Sequence, residues 1–61
     1  MDFKITHRVK EEFGNKTGLY HTVTIEGCNN EVEALVEAQQ AFGKLGYLLE
    51  KLISSEEIIK S

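Results

Sequence analysis

From residue 2 to residue 13 the chain alternates. Phe3, Ile5, His7, Val9, Glu11 and Phe13 fall on one face of an extended segment, and Lys4, Thr6, Arg8, Lys10 and Glu12 fall on the other. Gly14-Asn15-Lys16-Thr17-Gly18 supplies turn residues, after which a second alternating run sets Leu19, His21, Val23 and Ile25 against Tyr20, Thr22, Thr24 and Glu26. The pattern predicts a β-hairpin with strands at about 2–13 and 19–27. A one-residue slip would turn one strand inside out, so the two apolar faces must coincide. Making them coincide from the turn outward pairs Phe13 with Leu19, Glu11 with His21, Val9 with Val23 and His7 with Ile25.

A different period follows. Asn30 and Glu33 have the spacing of a capping box, and the acidic Glu31 and Glu33 suit a helix N-terminus. Leu35, Ala38, Phe42, Leu45, Leu49 and Leu52 then recur at steps of three and four, which predicts one helix over about 30–53. Val32 and Ile53 widen the stripe on one side, and Ala34, Ala41 and Leu48 on the other. Gly43 and Gly46 each cost roughly 1 kcal/mol inside a helix, so they mark a bend or a close approach, and we expect the helix to continue through them. Ser54 and Glu57 repeat the capping spacing, which predicts a short helical turn at 55–60. The expected fold is therefore α+β, a single ββα domain over residues 1–61 with the helix packed on the inward face of the hairpin.

Length changes what that fold needs. A chain of 61 residues buries only about 60% of the surface its unfolded form exposes, so small domains add disulfides, a metal or a partner subunit. Cys28 is the sole cysteine, and with two distant histidines it makes no zinc pattern. Self-association remains, and the broad helix stripe offers it a surface: Ala34, Ala41, Phe42, Leu45, Leu48, Leu49 and Leu52 are the expected oligomer interface, a dimer being preferred. Pairing along an unpaired strand edge is the other route to a dimer.

Charge and motifs narrow the function classes. No Walker loop, Rossmann glycine pattern, nucleophile elbow or paired carboxylates are present, so we expect no catalysis and no cofactor. Cys28 lies just before the helix, but nothing identifies a base for it. Gly43-Lys44-Leu45-Gly46 is the G-x-x-G tetrapeptide of KH domains, which also need a third strand and a second helix that a long 30–53 helix leaves no room for. There is no apolar run of the roughly 20 residues a membrane span requires and no basic-then-apolar leader, so a cytoplasmic protein is expected.

The leading functional expectation is a non-catalytic interaction module that self-associates and binds a protein partner. A second is nucleic-acid binding by Lys4, Arg8, Lys10 and Tyr20 on the outward face of the hairpin, although the formal net charge of -3 opposes general phosphate affinity. A third is acidic inhibition of a nucleic acid enzyme, as some viral and mobile-element proteins perform, because Glu31, Glu33, Glu37, Glu50, Glu56 and Glu57 outweigh Lys44, Lys51 and Lys60 in the second half. Finally, Glu11 and His21 on the inward face form a candidate pH-sensitive pair.

Overall fold

A computed structural model describes residues 1–59 of the chain. Its elements run β1 (Asp2–Glu11), β2 (Leu19–Ile25), α1 (Glu31–Lys44) and β3 (Tyr47–Ile58). The order is thus ββαβ and not ββα, although the α+β class stands. The three strands form one sheet in the order β2-β1-β3, and both outer strands run antiparallel to β1. β2 and β3 are therefore parallel to each other, and α1 carries the chain across the sheet from one edge to the other.

β1 is the centre of the molecule, and its alternation is expressed in full: Phe3, Ile5, His7 and Val9 are buried. Four-residue spacing on α1 sends Ala34, Ala38 and Phe42 down onto them, and each of the three is completely buried. Lengths explain where this core stops. A 14-residue helix spans ~21 Å, about the distance from Phe3 to Val9 along a strand at ~3.3 Å per residue. Phe13 lies beyond the helix's reach and is 93% exposed.

That limit corrects the hairpin. β1 ends at Glu11, and the register is Val9↔Leu19, His7↔His21, Ile5↔Val23 and Phe3↔Ile25. It lies four residues away from the expected pairing, an even slip that keeps every side chain on its predicted face. Residues 12–18 form a wider loop in place of a tight turn. The Glu11 N–H donates to the Lys16 carbonyl at 3.0 Å, and the Glu12 N–H to the Gly46 carbonyl at 2.9 Å, so the chain beyond β1 turns toward the start of β3.

The helix begins as expected. The Glu33 N–H donates to Asn30 Oδ1 at 2.8 Å, while the Glu33 carboxylate accepts from the Asn29 backbone and side chain. It ends early. Leu45 is the C-cap, and Gly46, at φ 83°, takes the left-handed conformation that closes helices and admits glycine without strain. The G-x-x-G tetrapeptide is this helix end. The 30–53 helix is corrected accordingly, and so is the 55–60 turn: residues through Ile58 are strand, and Lys60 lies outside the described residues.

β3 has twelve residues against the ten of β1. The excess is taken up at two irregularities, where Ile53 and Glu50 are each passed over in the pairing with β1. Two such bulges cancel in parity, so Leu52, Leu49 and Tyr47 lie across from His7, Val9 and Glu11 and share their face.

Candidate functional site

The expected interface residues do not form one helical surface. Ala34 and Phe42 belong to the core, Ala41 and Leu49 are half-buried, and Leu49 packs against that core. Leu45, Leu48 and Leu52 are exposed, at the helix cap and on β3. The continuous helical stripe expected to carry a helix-to-helix dimer is absent, because its members sit on two elements and several of them are already covered within the chain. Exposed apolar side chains are spread over the loop after β1 (Phe13), the helix and its cap (Val32, Val36, Leu45) and β3. Leu48, Leu52 and Ile53 are each more than 40% exposed on a strand whose outer edge has no neighbour among the described residues.

The open face of the sheet, opposite α1, carries the outward residues of all three strands. Lys4 lies between Thr24 and Glu56, Thr6 between Thr22 and Ser54, Arg8 between Tyr20 and Lys51, and Lys10 across from Leu48. All four residues expected to contact nucleic acid thus share one face. Lys51 joins them. It was assigned to the helix, and only the strand register brings it beside Arg8. Two like charges directly across from each other repel, and Arg8 Nε is buried there without a partner.

Carboxylates offset this row. Glu50 Oε1 accepts from the Gly18 N–H at 3.1 Å, a bond that spans from β3 to the entry of β2 and so crosses β1. The inward face at that level is filled by Val9, which is fully buried, so the exposed bridge passes over the open face near Arg8 and Lys10. With Glu56 across from Lys4, the face is mixed in charge. The acidic residues of the second half are likewise dispersed: Glu31 accepts from the Ser55 hydroxyl at 3.2 Å and Glu33 is engaged at the N-cap.

The register also relocates the histidines. His21 stands across from His7 and not from Glu11, and Glu11 faces Tyr47 on β3 instead. His21 stacks on the Tyr47 ring at 4.5 Å between centroids, whereas His7 meets the Phe42 ring edge-on at 5.4 Å. His7 is 6% exposed, its ring hydrogen-bonds the Lys51 backbone, and its Nδ1 has no partner. Burial lowers its pKa below the ordinary histidine value of 6.5, and the Lys51 bond opposes that only in part. Of the two histidines, His7 is thus the buried one, with its pKa lowered by that burial. Its signal in the sequence was its central place in an otherwise apolar face.

Cys28 is buried and tied to the first residue. Its N–H donates to the Met1 carbonyl at 2.9 Å, its thiol to the same oxygen at 3.0 Å, and the Met1 ammonium to the Cys28 carbonyl at 2.8 Å. These bonds close the β2–α1 connection over the start of β1. Among the described residues no cavity is found, no three His, Cys, Asp or Glu side chains converge as metal ligands, and no helix is long and apolar enough to cross a membrane. No known protein family, curated protein or solved structure matches the chain.

Proposed function

We propose that the protein is a non-catalytic interaction module that binds another protein chain along β3. One observation carries this reading: a twelve-residue edge strand presents Leu48, Leu52 and Ile53 to solvent beside unpaired backbone groups. Such an edge offers main-chain hydrogen bonds for affinity and alternate side chains for selectivity, which is how strand addition works. Leu45 at the helix cap extends the apolar surface at the entry of the strand.

A photo-crosslinking residue placed at Leu48 or Ile53 in expressing cells tests the reading, with Gln39 on the exposed helix face as control. Crosslinks to a protein chain should form from the β3 positions and not from the control. Equal yields from all three would end it.

A second reading rests on the Tyr20–Arg8–Lys51 row. An exposed aromatic ring beside Arg8, with Lys51 on the far side of that cation, suits a stacked base and its phosphate. Tyr20→Ala and Lys51→Gln should each weaken single-stranded oligonucleotide binding at low salt, and Lys51→Gln should also flatten the salt dependence. Binding that both variants leave unchanged would remove this reading.

A further inference from the structure

We propose that the end of the molecule carrying Phe13 and Leu45 docks on an anionic lipid bilayer, setting these two side chains into its interface without spanning it. The surface is distinct from the β3 edge, and its use does not depend on how that edge is used.

The pairing of β1 with β3 brings the two residues to one end. Glu11 stands across from Tyr47, and one step further on the Glu12 N–H donates to the Gly46 carbonyl, so Phe13 and Leu45 come next on each segment. They are 93% and 62% exposed, and neither is among the side chains packed on the core. Cations gather around them. The Glu11 N–H holds the Lys16 carbonyl at this end, Lys44 closes α1 one residue before Leu45, and Lys10, Arg8 and Lys51 occupy nearby outward positions of β1 and β3. Every lysine and arginine of the described residues except Lys4 thus lies in this half, where Glu11, Glu12 and Glu50 are the opposing charges. The other carboxylates are remote. Asp2, Glu26, Glu31, Glu33, Glu56 and Glu57 occupy the far end, roughly 20 Å or more from Leu45 at ~1.5 Å per helical and ~3.3 Å per strand residue, with Glu37 between.

That separation decides whether a formal net charge of -3 forbids the contact. The screening length at physiological ionic strength is ~8 Å, so carboxylates more than two such lengths away repel the lipid surface weakly, while the cations near Phe13 attract it. The same asymmetry orients the molecule, with its acidic end turned away. Exposed apolar side chains and a basic surround are the two signals that reversible membrane binding needs together. Size argues against a protein as the occupant of this end alone. The long axis of 41 Å follows the strands, and the end is 16 × 15 Å across, short of the ~800 Å² that each partner buries in a stable protein complex. A bilayer needs no matching patch. A nucleic acid backbone offers Leu45 nothing apolar, whereas the acyl boundary of a bilayer accepts both side chains.

The chain has no tryptophan, so Phe13→Trp provides a single fluorophore at the proposed contact. Its emission should shift to the blue with vesicles of phosphatidylcholine and phosphatidylglycerol, and stay unshifted with phosphatidylcholine alone. Val32→Trp, at an exposed position near the acidic end, should shift with neither. In flotation with the anionic vesicles, Phe13→Ser and Lys16→Glu should each bind about tenfold more weakly than the wild-type protein, and Val32→Ser should bind as the wild type does. Phe13 packs on no core residue and Lys16 enters the fold through its backbone carbonyl, so thermal melts of both variants should match the wild type.

Wild-type protein that does not float with anionic vesicles overturns the proposal, as does binding that Phe13→Ser leaves unchanged or that neutral vesicles support equally. A photo-crosslinking residue in place of Phe13 that captures a protein or a nucleic acid in cells, with no binding to vesicles, also overturns it and assigns this end to that partner.

Discussion

The two edges of this sheet are built on opposite principles. β2 is short, presents Tyr20, Thr22 and Thr24 outward, and pairs with β1 without interruption in a register that begins at Val9 and ends at Phe3. β3 is long, bulged twice, and leaves Leu48, Leu52 and Ile53 in water. Both edges share one centre, since His7 and Val9 of β1 lie across from His21 and Leu19 on one side and from Leu52 and Leu49 on the other. A short polar edge protects a monomer from unwanted pairing, and a long apolar edge invites it. Neither outer edge has a neighbouring strand among the described residues, and the two differ in length and in exposed aliphatic side chains.

The largest expected effect removes the centre. Phe42→Ala empties the most bulky fully buried position and should cost about 3–5 kcal/mol, against a total stability of roughly 3–9 kcal/mol for a domain this small. Chemical denaturation should show a protein that is largely unfolded, with both edges lost together. Retention of a folded β2–β1 hairpin would mean that the two edges do not depend on a common core.

Next come the entries to the two edges. Gly18 precedes β2 at φ 67° and Gly46 precedes β3 at φ 83°, and an added Cβ at either meets nothing within 4 Å. Only backbone strain distinguishes alanine there, so Gly18→Ala and Gly46→Ala should each cost about 1–2 kcal/mol. Equal losses in thermal melts would place the difference between the edges in their side chains. A much smaller loss at Gly46 would show that β3 adjusts its start easily.

How the chain announces these elements explains which were legible. β1 and β2 alternate without a break, and the N-terminus of α1 carries Asn30 and Glu33, so the hairpin, its two faces and the helix start follow from the residues alone. Register did not follow, because nothing in residues 12–18 dictates how many of them leave the sheet. That uncertainty moved His21 from Glu11 to His7. β3 was hidden for a specific reason. A bulge consumes one residue, turning the two-step of a strand into a three-step, and Leu49 to Leu52 across the bulge at Glu50 therefore matches the spacing of a helix. Gly46 shortly after Lys44 was the opposing signal, a basic last turn followed by glycine. A helical reading of residues 47–53 gives no sign that Lys51 lies beside Arg8 or that these residues form a sheet edge.

Acid should act on the shared centre. Burial holds the folded-state pKa of His7 below 6.5, so the unfolded chain takes up a proton before the folded one does. The stability this contributes is complete above the ordinary histidine pKa and is lost as pH falls from there toward the depressed value. Unfolding by urea at pH about 7.5 and about 5 should show the loss, and His7→Leu should reduce it. An identical pH dependence in the variant would exclude His7 as its source. Because His7 lies between His21 and Leu52, the effect should appear on both edges equally.

The smallest change in stability gives the sharpest contrast between the edges. Thr22 on β2 shares a 2.7 Å hydroxyl contact with Thr6, exposed to solvent. Thr22→Val loses that bond, but Thr6 turns to water instead, so the cost should be about 0.5 kcal/mol or less. Leu48→Thr on β3 removes exposed apolar area and should likewise leave the fold almost unchanged, with thermal midpoints close to those of the wild-type protein. Association should separate them. Crosslinking from Ile53 in expressing cells should be unchanged in the Thr22→Val protein and weaker in the Leu48→Thr protein, since only the second takes an aliphatic side chain away from the β3 edge. If instead the β2 substitution abolishes the crosslink and the β3 substitution does not, the open edge of this sheet is the polar one.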